Sequence, residues 1–74
     1  MLKPEEKTIS LFNTALKTCI NLELEPNKYN AKELVYSNIF AIKEALYDCT
    51  LLDNGQIKKS LDYWQKVKLT LDSL

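Results

Sequence analysis

Apolar residues recur at steps of three and four along the N-terminal part of the chain, which is the spacing of one helix face. This first apolar stripe consists of Ile9, Phe12, Ala15, Leu16, Cys19 and Leu22. Pro4 suits the first position of a helix, and the carboxylates of Glu5 and Glu6 favour the positive end of its dipole. Pro26 cannot continue the hydrogen-bond ladder. The pattern predicts a helix over about residues 4–22.

A second apolar stripe predicts a helix over about residues 31–52. Its members are Val35, Ile39, Ile42, Leu46 and Cys49. Asn30 suits the N-cap, because Glu33 stands where it can complete a capping box. Tyr29 and Leu34 have the spacing of a hydrophobic staple around that cap.

The segment DNGQ interrupts the second stripe and precedes a third predicted helix, over about residues 56–72. Either Gly55 closes the second helix, or Asp53 caps the third with Gln56 completing a capping box. The third stripe consists of Ile57, Leu61, Trp64, Val67, Leu71 and Leu74. Three helices joined by short loops predict an all-α, antiparallel three-helix bundle in up-down-up order, forming a single domain over residues 1–74.

The composition adds limits on function. Ten lysines balance ten acidic residues, so the formal net charge is zero and no overall field attracts nucleic acid. The absence of Arg removes the side chain that most often contacts guanine, and the absence of His removes the usual proton-transfer group and metal ligand. We therefore expect no metal, no cofactor and no enzyme activity, and nucleic-acid binding is disfavoured.

The remaining candidate chemistry is weak. Cys19 and Cys49 fall on apolar stripes and, in the predicted hairpin, lie on the order of 20 Å apart, too far for a disulfide. Both are expected to pack as small hydrophobic side chains. Glu44 and Asp48 form a carboxylate pair on a predicted polar face. We expect both side chains to be hydrated there and not to act in acid–base chemistry. No apolar run approaches the length of a membrane span, so we expect a cytoplasmic protein without membrane contact.

The second predicted helix has more apolar circumference than a surface helix needs. Its apolar sector spans roughly 240°, compared with a little over 100° for a helix with one buried face. Tyr36, Phe40 and Tyr47 form an aromatic row with Lys43 among them, and Leu69 projects off the third stripe. One interpretation is a middle helix that packs both neighbours over a broad arc. The other is a partner-binding surface formed by these five residues.

These features favour a non-catalytic protein–protein interaction module that binds a protein partner and forms a homo-oligomer. The small size of the chain suggests, as a hypothesis, an inhibitor or anti-defence protein of a phage or mobile element. Two alternatives stay open. The Gly55 turn is compatible with a DNA-binding regulator of helix-turn-helix type, with the third helix as reader. A structural subunit of a larger helical assembly is the other alternative.

Overall fold

The computed structural model describes residues 2–48 and 54–74, which form a bundle of three α-helices. The helices are α1 (Pro4–Asn21), α2 (Lys28–Asp48) and α3 (Asn54–Asp72). Each helix contacts the other two, and no strand occurs within the described ranges. The predicted all-α three-helix bundle is therefore confirmed.

Two hydrogen-bonding contacts fix the relative direction of α1 and α3, one from α1 itself and one from Leu2, just before its first residue. The Thr8 hydroxyl lies 3.1 Å from the carbonyl oxygen of Val67. The Tyr63 hydroxyl, one helical turn earlier in α3, donates to the carbonyl of Leu2 at 3.0 Å. Positions therefore advance together along both helices, so α1 and α3 run parallel. The short connection after α1 reverses the chain, which makes α2 antiparallel to both, as the predicted up-down-up order requires.

The core lies along the axis where the three helices meet, and each helix contributes to it. The buried residues that form this core cluster are Ala15, Ala31, Val35, Ile39, Val67 and Leu71. Cys19 is also buried, which confirms that its thiol packs in the interior. Cys49, the other cysteine predicted to pack inside, lies outside the described residues.

The apolar stripe predicted for α1 is wrong at two positions, because Ile9 and Leu22 are both more than half exposed. Thr8 is buried in place of Ile9. Its hydroxyl lies 2.7 Å from the carbonyl of Pro4, as well as near that of Val67, so the polar atom keeps a partner inside the protein. Local hydrogen bonding thus makes threonine suitable at this buried position of α1.

The N-cap of α2 is Asn27, three residues before the predicted cap. The Asn27 side-chain oxygen accepts from the backbone N–H of Asn30 at 2.9 Å, which is the geometry of a capping residue and its third helical position. Asn30 therefore lies inside the first turn, and its side chain donates to the carbonyl of Glu25 at 2.8 Å. Tyr29 is exposed, so the predicted staple is wrong. Both asparagines can cap a helix, and periodicity alone does not choose between them.

The other helix ends differ less from prediction. Helix α1 ends at Asn21, and α3 begins at Asn54, two residues before the predicted start. The predicted end of the second helix at residue 52 and the alternative cap at Asp53 lie outside the described residues.

Candidate functional site

A groove of about 480 Å³ runs between α2 and α3. We call it the α2–α3 groove, and its lining residues are Tyr36, Ile39, Phe40, Lys43, Lys68 and Asp72. The α2 residues recur at steps of three and four, and the two α3 residues are four apart, so each helix contributes one face. The groove therefore follows the direction of the helices.

The aromatic row of α2 is only partly covered by the rest of the protein. Phe40 is 63% exposed, and Tyr47, two turns further along the helix, is 72% exposed. Neighbouring Ile39 is 3% exposed and belongs to the core. The apolar surface predicted to exceed what α1 and α3 can cover is thus present at Phe40 and Tyr47.

Tyr36 differs from the other two aromatic residues of the row. It is half-buried and packs against the core, and its hydroxyl donates a hydrogen bond to a carboxylate oxygen of Asp72. This hydrogen bond, together with desolvation and the negative charge of Asp72, raises the pKa of the Tyr36 hydroxyl above its ordinary value of 10.0. Tyr36 therefore connects α2 to α3 at one wall of the groove.

Positive charge lies on both walls of the α2–α3 groove. Lys43 projects from α2, and Lys68 projects from α3 with its ammonium nitrogen 6.0 Å from the centre of the Tyr36 ring. Within residues 2–48 and 54–74, neither lysine forms an ion pair. Asp72, the acidic member of the lining, already accepts the Tyr36 hydrogen bond. The groove thus combines exposed aromatic surface with two ammonium groups that have no acidic partner among the described residues.

The five residues predicted to bind a partner do not all meet at one place. Tyr36, Phe40 and Lys43 line the α2–α3 groove together. Tyr47 lies one turn beyond the lining on α2, and Leu69 is exposed on α3 but is not part of the lining.

Three lining residues were missed by the sequence analysis, namely Ile39, Lys68 and Asp72. Lys68 and Asp72 are four residues apart and therefore share a helix face. This spacing was the one feature of the sequence that could have grouped them. That spacing does not say which face of α3 meets Tyr36.

The described residues hold little other functional chemistry. No group of three or more His, Cys, Asp or Glu side chains within them is arranged to hold a metal ion. Glu44 and Asp48, the carboxylate pair predicted on a polar face, are both exposed. None of the described helices combines the length and hydrophobicity needed to cross a bilayer.

Comparison with known proteins gives no functional assignment. No protein-family model matches the chain, and no curated protein or solved structure matches it either. The candidate site therefore depends on the geometry and chemistry of the α2–α3 groove.

Proposed function

We propose that this protein is a non-catalytic protein-binding module and that it docks its partner in the α2–α3 groove. The main support for the proposal is the exposure of Phe40. Its side chain is 63% exposed and lines a groove that also contains Lys43 and Lys68. Aromatic residues are enriched at the centres of protein interfaces, and an exposed aromatic row next to a groove is typical of such a surface.

The shape and charge of the groove favour a protein partner over other ligands. A groove that follows two helices suits a helix or an extended segment laid along it. A zero net charge and the absence of Arg provide little of the phosphate attraction on which nucleic-acid binding depends.

The energetics indicate that the whole groove takes part in docking. Burying an exposed aromatic side chain contributes about 1.5–3 kcal/mol. Association costs an estimated 4–15 kcal/mol in lost freedom of motion, so the roughly 3–6 kcal/mol from Phe40 and Tyr47 together offsets only the lower end of that cost. The lysines on both walls must add charge-assisted contacts, which favours an apolar partner segment that carries acidic residues.

A capture experiment with matched variants tests the proposal. The purified chain, immobilised, is exposed to a lysate of its native host, and the retained proteins are identified by mass spectrometry. Phe40→Ser removes the exposed ring from the groove, whereas Tyr29→Ser removes a ring of α2 that is also exposed, at 79%, but lies outside the lining. Tyr36 is left unchanged because it packs on the core and bonds Asp72.

We expect wild type and Tyr29→Ser to retain the same partner and Phe40→Ser to lose it, with helicity unchanged by circular dichroism. Equal retention by all three would remove the groove as the docking surface. An inhibitor of a host protein is one form of such a module, and that form stays a hypothesis.

A further inference from the structure

The connection between α1 and α2 is the chemical complement of the α2–α3 groove. Residues 22–25, which we call the acidic loop, have the sequence Leu-Glu-Leu-Glu, and all four are exposed. The carboxylates of Glu23 and Glu25 form no ion pair or hydrogen bond within the described parts of the chain. The acidic loop thus presents apolar and negative side chains in alternation.

Backbone hydrogen bonds hold the acidic loop in a defined shape. The N–H of Leu24 donates to the carbonyl of Cys19 at 2.8 Å, and that of Glu23 to the carbonyl of Ile20 at 3.2 Å, which forms a Schellman motif. The carbonyl of Glu25 accepts from the Asn30 side chain. A loop held in this way loses little conformational freedom when it binds.

Glu23 occupies the one backbone position in the described ranges that favours glycine. Its φ of 61° is left-handed, and glycine is the residue most often found at this point of a Schellman motif. A glutamate at this position retains a carboxylate at the tip of the acidic loop despite the backbone strain. Such strain is often kept where a side chain has a binding role.

We infer that the occupant of the α2–α3 groove is the acidic loop of a second copy of this chain. This inference rests on the groove being a docking surface, as proposed above. The apolar leucines of the loop are suited to pack against Phe40 in the groove. The carboxylates of Glu23 and Glu25 are opposite in charge to the ammonium groups of Lys43 and Lys68. A net charge of zero gives little repulsion between copies.

The bundle topology allows each copy to provide both halves of the contact. Because α1 and α3 run parallel, the acidic loop after α1 lies at the same end of the bundle as Lys68 and Asp72, near the end of α3. Two copies related by a two-fold axis exchange acidic loops and form the contact twice. Forming the contact twice increases the surface area that each copy buries. This matters because a stable interface buries roughly 800 Å² of each partner.

Reciprocal charge reversal tests the inference. One variant carries Lys43→Glu and Lys68→Glu, a second carries Glu23→Lys and Glu25→Lys, and a third carries all four substitutions. The fourfold variant keeps the formal net charge of zero. Lys58→Glu with Lys59→Glu is the matched control, because both lysines are exposed on α3 outside the groove lining. Sedimentation velocity over a concentration series gives the mass of each variant, and circular dichroism checks its fold.

We expect wild type, the control and the fourfold variant to associate, and each twofold reversal in the groove or the loop to sediment as a monomer. Added salt should weaken association of wild type, since it screens the exposed charges. A monomeric wild type at every concentration overturns the inference, as does an oligomer that survives both twofold reversals. A folded fourfold variant that stays monomeric also overturns it. The proposed function is decided separately, by loss or retention of captured protein on Phe40→Ser.

Discussion

The inward and outward faces of α2 both carry large apolar side chains, but these side chains differ sharply in solvent exposure. Ile39 is 3% exposed, while Phe40, the next residue in the chain, is 63% exposed. The side of α2 that carries Ile39 is covered by α1 and α3, whereas the side that carries Phe40 is left largely open to solvent. In a three-helix bundle, two neighbours cover only part of a helix circumference, so apolar character alone does not assign a residue to the core.

The sharpest test of this difference is truncation of the two adjacent residues. Ile39→Ala should lower the free energy of unfolding by about 2–5 kcal/mol, because it leaves a cavity in the core. That loss is a large part of the roughly 4–11 kcal/mol expected for a domain of 74 residues. Phe40→Ala should change the free energy of unfolding by only about 0.5 kcal/mol or less, since an exposed ring has little packing to lose.

Urea unfolding followed by circular dichroism measures both changes. The monomeric state must be compared, because a partner copy bound at Phe40 would add concentration-dependent stability. Similar losses for Ile39→Ala and Phe40→Ala in dilute solution would contradict the distinction between the two faces of α2.

The cap of α2 supports both faces equally, so its removal should lower stability without changing their difference. Asn27→Ala takes away the side-chain oxygen that accepts from the Asn30 N–H, at a cost of about 1 kcal/mol. The loss should add to that of Phe40→Ala, because the two residues are far apart along α2 and share no partner. Urea unfolding of the two single variants and the double variant measures this. If Asn27→Ala proved neutral, the helix would be capped elsewhere.

Tyr36 stands at the border of the two faces, and its effect should be the smallest because water competes for a hydrogen bond near the surface. Asp72 raises the pKa of the Tyr36 hydroxyl above 10.0 in the folded protein. The protonated hydroxyl is thus favoured by folding, so its contribution is complete below pH 10.0 and is lost as pH rises through the folded-state pKa.

Unfolding of wild type and Tyr36→Phe should therefore be compared from neutral to alkaline pH. The stability advantage of wild type should shrink above pH 10.0, and the comparison cancels any pH effect that the two proteins share. An advantage that stayed constant through the alkaline range would show that the Asp72 hydrogen bond contributes nothing to stability.

Much of the fold could be predicted from the chain because its signals are local. Pro4 and Pro26 bound the first helix, and the periodic placement of Val35, Ile39 and Val67 identifies faces that are indeed buried. Errors arose where two local solutions compete. Asn27 and Asn30 both suit a cap, and only the observed hydrogen bond separates them.

Only half of the residues that line the candidate site could be predicted from the sequence. Tyr36, Phe40 and Lys43 were identified because they stand out on a single helix. Lys68 and Asp72 were missed because the rotation of α3 against α2 depends on packing between helices that are remote along the chain.

The sequence by itself determined three helices, their order and the excess of apolar surface on α2, since each follows from residue spacing along one segment. Only the tertiary structure decided which part of that surface stays uncovered. It also brought Tyr36 to Asp72 and set Lys43 opposite Lys68. The reason is physical: these relations depend on how whole helices pack, and the spacing within one helix carries no record of its neighbours.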